Sequence, residues 1–319
     1  MSKEIRLDVR EEAFGKGKAS AQNGKFADKG ISAGKSSFAW KVLCSAGVSF
    51  RKMLGSVLFR VVLFLMILFW ILFVWNIRGV TAAAGGSYGV TPWLLPHFFA
   101  SSIYVVYGEL LLILLNCNAP FLDSTKAFTL SRSGLLPWCL GQILFIVLSN
   151  LFFQVLMFVT EVITLLPYVS FSTNWGAVIY TISGNPMILY QFTGYGSIDP
   201  DIVTSMAPLE AMGLQILLCV CFGSAVGMIM FFINGILRKN IGSVVMAGCV
   251  FFAGYLYTLN MYFDLDLADK FFFNWLSLAD YIDGSMDYGR HVLILVAMFL
   301  VFAVASCVGV KKRWIGTVE

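Results

Sequence analysis

The sequence predicts an all-α membrane protein, a six-helix transmembrane bundle with cytoplasmic N- and C-termini. Three observations carry that prediction. Of 319 residues, 59% are hydrophobic and 13% charged, with a mean hydropathy of +0.81. Soluble proteins carry about a quarter charged residues, so this chain has too few polar side chains to cover a water-soluble globule of its length. Apolar segments of about 20 residues, the length a bilayer core requires, occur near residues 55–77, 98–117, 138–166, 210–237, 241–263 and 291–310. Finally, the basic residues are one-sided. Eleven Lys and Arg precede the first segment, Lys126 and Arg132 lie between the second and third, Arg238 and Lys239 between the fourth and fifth, and Lys311, Lys312 and Arg313 follow the sixth. Only Arg78, Lys270 and Arg290 fall on the other side. The positive-inside rule then places both termini in the cytoplasm, and the even number of spans agrees.

Residues 1–37 are rich in Gly, Lys, Ser and Ala without an apolar period and read as a disordered basic cytoplasmic tail. A secretory signal is not expected, because the first long apolar run begins past Gly55 and exceeds an h-region in length. Residues 38–54 interleave Phe38, Trp40, Val42, Leu43, Phe50, Met53 and Leu54 with Lys41, Arg51 and Lys52. That mixture suits an amphipathic helix lying on the inner membrane surface or a basic juxtamembrane anchor. Residues 55–313 form the six-span domain. From Val61 to Trp75 every residue is apolar, and that run outweighs the cost of Arg60, which lies near enough to the inner end to snorkel.

The polar segments between spans hold the candidate functional residues. Asn118 to Gln142, between the second and third spans, sets Phe121, Leu122, Phe128 and Leu130 among Asp123, Lys126 and Arg132. It reads either as a short amphipathic helix offered to a cytoplasmic partner or as a solvated turn anchored by Arg132. On the outer side, Asp264 to Arg290 holds six acids and the run FFFNWLSLADYI from Phe271. That run is too short to cross and is expected to dip into the outer leaflet or fold over the bundle. The other outer segment, about Pro167 to Ala211, contains no Lys or Arg.

This layout resembles the type-2 ABC exporter permeases, with six spans, an interfacial helix before the first, a short segment between the second and third, and an apolar outer element before the sixth. Locally, SRSGLLPWCLGQILFI from Ser131 to Ile146 is similar to the arginine, tryptophan, glycine stretch by which some bacterial members enter their third span. The resemblance implies the membrane-spanning permease subunit of an ABC transporter. It further implies a second permease chain, in a homo- or heterodimer, and a separate cytoplasmic ABC ATPase subunit that carries the ATP and magnesium. Phe121, Asp123, Lys126, Phe128 and Arg132 would then form the ATPase-coupling segment, with Trp138 and Gly141 positioning the start of the third span. The chain's own match to a phosphate-binding loop, GISAGKSS from Gly30 to Ser37, is one residue short and follows no buried strand. No cofactor, metal or catalytic residue is therefore expected here, and no nucleic-acid partner, since the net charge of +4 comes mainly from the tail and inner loops, beside the anionic face of the lipid bilayer.

Two further readings start from residues inside spans. Glu109 lies about 12 Å and Arg60 about 8 Å from the inner ends of their spans at 1.5 Å per residue, which makes them candidates for an intramembrane charge pair. Glu161, far along the third span, is expected at the outer interface. Ser224 and His291 fall roughly where six-span intramembrane serine proteases keep their catalytic pair, although the surroundings do not match. A secondary carrier or a non-transporting membrane scaffold is the other alternative.

Overall fold

The computed structural model describes residues 37–119, 130, 132–192, 194–237, 240–263, 270–282, 284 and 286–315. Helix accounts for 81% of it and no strand forms among the described residues. The helices in chain order are α1 (Phe38–Gly55), α2 (Val57–Ala83), α3 (Leu95–Ala100), α4 (Ser102–Asn116), α5 (Leu135–Leu165), α6 (Gly176–Gly184), α7 (Pro200–Ser205), α8 (Pro208–Leu237), α9 (Gly242–Phe263), α10 (Ala279–Ile282) and α11 (Tyr288–Ile315). Four of them, α2, α5, α8 and α11, are long and apolar enough to cross a membrane.

α1 and α2 are separated by one extended residue, Ser56, at φ −75° and ψ 150°. Its Oγ accepts the Phe59 N–H at 3.1 Å and donates to the Met53 carbonyl at 2.7 Å, so one side chain ends α1 and starts α2. Beyond it, α2 buries Phe59, Val62, Met66, Trp70, Phe73, Val74 and Ile77, a stripe at helical spacing.

Side-chain contacts give the direction of each long helix. α2 and α5 run parallel, because Phe59 meets Phe152 while Arg78 reaches the Thr164 carbonyl. Antiparallel to α2 runs α4, pairing Phe69 with Tyr107 and Phe73 with Tyr104. α8 opposes α5, since Gly223 abuts Asn150 and Gly227 abuts Ile146. α11 runs parallel to α8, with Tyr288 bonded to the Leu214 carbonyl and Phe232 against Phe302. α1 and the start of α5 thus share one end of the bundle, and α6 and α7 lie at the far end.

The apolar segment expected as one span at 98–117 is interrupted. Ser101 is extended, at φ −91° and ψ 125°, and separates α3 from α4. Packing explains the break. The Phe99 ring folds back onto Gly108, where any Cβ would strike it, and Phe98 joins Trp70, Phe73 and Tyr104 with ring centroids 4.7–5.4 Å apart. A continuous helix would hold positions 99 and 108 about 13 Å apart at 1.5 Å per residue. Leu95 through Phe99 are all buried, so the interrupted backbone is covered by protein, as a membrane setting requires.

At the far end a layer of short elements covers the bundle. Val90 bridges Tyr168 and Ser170 through two backbone hydrogen bonds. Thr91 Oγ1 donates to the Trp175 carbonyl, and buried Trp175 donates from Nε1 to Met206. The apolar run from Phe271 folds over and into the bundle. Phe273 packs on Phe222, midway along α8, and Gln215 Nε2 donates to the Leu276 carbonyl at 2.9 Å.

Candidate functional site

At the α1 end, α5 is entered through one left-handed glycine and meets α1 at another glycine in its second turn. Gly134 has φ +86°, a conformation that side chains rarely adopt, and it separates a helical turn around Leu130 from α5. Arg132 is exposed on that turn. Seven residues beyond Gly134, Gly141 lies where α1 crosses α5, and an added Cβ there would stand 2.5 Å from Ser45 Cβ. One position on, Gln142 Nε2 donates to Ser49 Oγ at 2.7 Å, with both groups buried. α1 buries Ser45, Ala46, Ser49 and Met53 against α5, a stripe of mostly small side chains. Beside it, Leu43, Gly47 and Phe50 of α1 and Leu148, Leu151 and Phe152 of α5 line an apolar cleft of about 450 Å³.

Trp138 is buried, with its ring 6.3 Å from Phe231 of α8, so it packs the start of α5 inside the bundle. Phe121, Asp123, Lys126 and Phe128 lie outside the described residues.

Arg60 and Glu109 do not form an ion pair. Arg60 is exposed, off the buried stripe of α2, whereas Glu109 is 1% exposed and its Oε1 accepts no hydrogen bond among the described residues. Counting residues gave comparable depth, but depth does not set the direction in which a side chain leaves its helix. Glu161 does not lie at the outer interface. It is fully buried, and its Oε1 accepts the Leu94 N–H at 2.6 Å, holding the start of α3 rather than meeting solvent.

Sequence reasoning missed a buried polar seam between α4, α5 and α8. Asn116 Nδ2 donates to Asn150 Oδ1 at 3.1 Å, and Gly223 and Gly227 of α8 lie directly against that pair. The G-x-x-x-G spacing of 223 and 227 was a visible signal of close helix approach. Continuing the antiparallel register of α4 and α5 from that pair brings Glu109 to the level of Met157, about one turn beyond Gln154, whose side-chain oxygen and nitrogen are both buried without a hydrogen bond among the described residues. Buried polar groups of this kind are costly in a membrane core and mark sites of function by default. His97, on α3, is also buried, and its Nδ1 accepts the Asp199 N–H at the start of α7.

Ser224 and His291 are not assembled as a catalytic pair. Ser224 Oγ makes no hydrogen bond, and His291 stacks on Trp275 with centroids 4.1 Å apart.

The chain matches no family model, no curated protein and no solved structure.

Proposed function

We propose that the chain is the membrane-spanning permease subunit of an ATP-binding-cassette exporter, coupling ATP hydrolysis on a separate cytoplasmic subunit to alternating access. The observation that carries this reading is the seam between α1 and α5. A helix before the first crossing is seated on the third by Gly141 and the Gln142–Ser49 hydrogen bond, at the end of the bundle where the chain between α4 and α5 emerges. A push delivered there would be transmitted to α5 as a unit with α1, because close-packed helices move as rigid bodies. α5 in turn holds α8 through the Asn150 and Gly223 contact and α3 through Glu161.

In this reading α2, α3 with α4, α5, α8, α9 and α11 make six crossings of the cell membrane. Both termini are cytoplasmic, and a second permease chain completes the pathway. The far-end layer built on α3, α6 and α7 closes the outer side in the state described. Alternating access then requires the ATPase to grip the coupling segment differently in its two states, and Arg132, Phe121 and Phe128 are the gripping residues we assign.

Co-purification of permease with ATPase tests the assignment. Arg132→Glu and Phe128→Ala are expected to lower ATPase recovery and transport at least tenfold while the permease remains folded. Unchanged recovery and transport in both variants overturn it. One observation favours a second reading, an ion-driven carrier: the unpaired carboxyl of Glu109 at mid-bundle. That reading predicts no ATPase in a mild-detergent pull-down and gradient-driven uptake by the protein alone in liposomes.

A further inference from the structure

Two cysteines at the α1 end stand apart from the features used above. Cys139 lies in the second turn of α5 and is buried, and Cys307 lies near the end of α11 and is half-buried. Their sulfur atoms are 2.8 Å apart, although the residues are separated by 168 positions in sequence. That is a thiol–thiol hydrogen bond in which either sulfur can donate, whereas a disulfide bond is about 2.05 Å long. The two thiols are therefore in direct contact, and a small movement separates them from bonding. α11 packs chiefly along α8 and touches α5 only sparsely, so a bond here would tie together two helices that are otherwise weakly joined.

We infer that Cys139 and Cys307 form a reversible disulfide site that locks α5 to α11 when the protein meets a peroxide. Half-buried Cys307 is the more accessible sulfur and reacts first. Its thiolate attacks one oxygen of hydrogen peroxide, the O–O bond breaks, and a sulfenic acid forms with loss of hydroxide. The Cys139 sulfur then attacks the sulfenic sulfur, the S–O bond breaks and water leaves. In sum, two thiols and one peroxide give one disulfide and two waters, with the two electrons from sulfur reducing the peroxide. A dithiol reductant reverses the bond by thiol–disulfide exchange. In the orientation proposed above this end faces the cytoplasm, where thiols are kept reduced, so the bond would form on oxidative challenge and not at rest. Because α5 carries α1, the lock would also fix α1 relative to α11.

The site is tested on the full-length protein in mild detergent. Samples are treated with hydrogen peroxide, denatured, alkylated with N-ethylmaleimide, digested without reductant and read by mass spectrometry. The expected result is that Cys139 and Cys307 lose at least half of their alkylation together and appear as one cross-linked peptide from monomeric protein. Dithiothreitol should restore both. Exposed Cys44 reports that the alkylation itself works. Cys139→Ser and Cys307→Ser should each abolish the cross-link, and either variant suffices if the other expresses poorly. Full alkylation of Cys139 after oxidation, or a Cys307 link only to a second copy of the chain, overturns the inference. Neither readout depends on transport, so loss of the ATPase partner would overturn the permease reading alone, and absence of the cross-link would overturn this site alone.

Discussion

At position 141 the absence of a side chain lets α1 lie on α5. Adding one methyl group places it 2.5 Å from Ser45 Cβ and 3.0 Å from the Val42 carbonyl, which forces α1 outward. Gly141→Ala is therefore expected to lower stability in detergent by about 1–3 kcal/mol, the usual range for overpacking. Ser45→Gly removes the struck atom, at a helix cost of about 0.5–1 kcal/mol. The double variant should be less destabilised than the sum of the two single changes, as neighbours in contact are; strict additivity would show that α1 does not rest on Gly141. Positions 60 and 109 should behave in the opposite way. Arg60 is exposed and Glu109 buried with no ion pair between them, so Arg60→Gln should change stability by less than about 0.5 kcal/mol, as surface substitutions usually do. Its effect should add to that of Glu109→Gln within about 0.5 kcal/mol. A double variant clearly milder than Glu109→Gln alone, measured by chemical unfolding, would restore the charge pair.

Among the elements, α3 is held at its start by one buried polar contact, alongside the packing of Phe98 and Phe99. Its first backbone group, the Leu94 N–H, is buried and donates to Glu161 at 2.6 Å. Glu161→Ala leaves that donor unsatisfied and is expected to cost about 1–3 kcal/mol, whereas Glu161→Gln keeps an acceptor oxygen and should cost less. Equal losses for the two substitutions, read by thermal unfolding, would remove the contact from the account. The same element shows how far helices can be read from sequence. α2, α5, α8 and α11 were legible because spanning length and apolar composition are local properties. The break at Ser101 was not, since it depends on Phe99 reaching Gly108 and on Phe98 entering a ring cluster with α2, and no local pattern encodes those contacts. Glu161 was misplaced for a related reason: its position along the helix was readable, but the covering elements that bury it come from residues 90–97. Gly141 is readable as positioning the start of the third span, but its partner, the small-residue face of α1, is not. Ser45, Ala46 and Ser49 offer little apolar surface of their own, and their role is visible only when a second helix is laid on them.

For the whole molecule, the direction of each helix constrains how the chain lies in a bilayer. α2 and α5 are parallel, so the chain between them must return through the bundle, and α4 runs antiparallel to α2 to do so. At 15 residues α4 is about 22 Å long at 1.5 Å per residue, short of the roughly 30 Å hydrocarbon core. α3 does not lengthen it, because Phe99 folds back onto Gly108 and Phe98 packs on Phe73 of α2 as Tyr104 does, so the two segments together make a covered, interrupted return. α8 and α11 are likewise parallel, and α9, with 22 residues, makes the return between them. Six crossings therefore follow if the four long helices cross. They place α1 and the 3-10 turn Pro186–Gln191 on opposite sides of the membrane. Exposed Cys44 on α1 and exposed Tyr190 on that turn mark the two sides. In intact cells, a membrane-impermeant maleimide should label Tyr190→Cys and leave Cys44 unlabelled until the membrane is permeabilised. Labelling of both positions from outside would mean that the return through α3 and α4 does not cross, and the permease reading would fall with it, because the coupling segment and α1 would no longer share a cytoplasmic face.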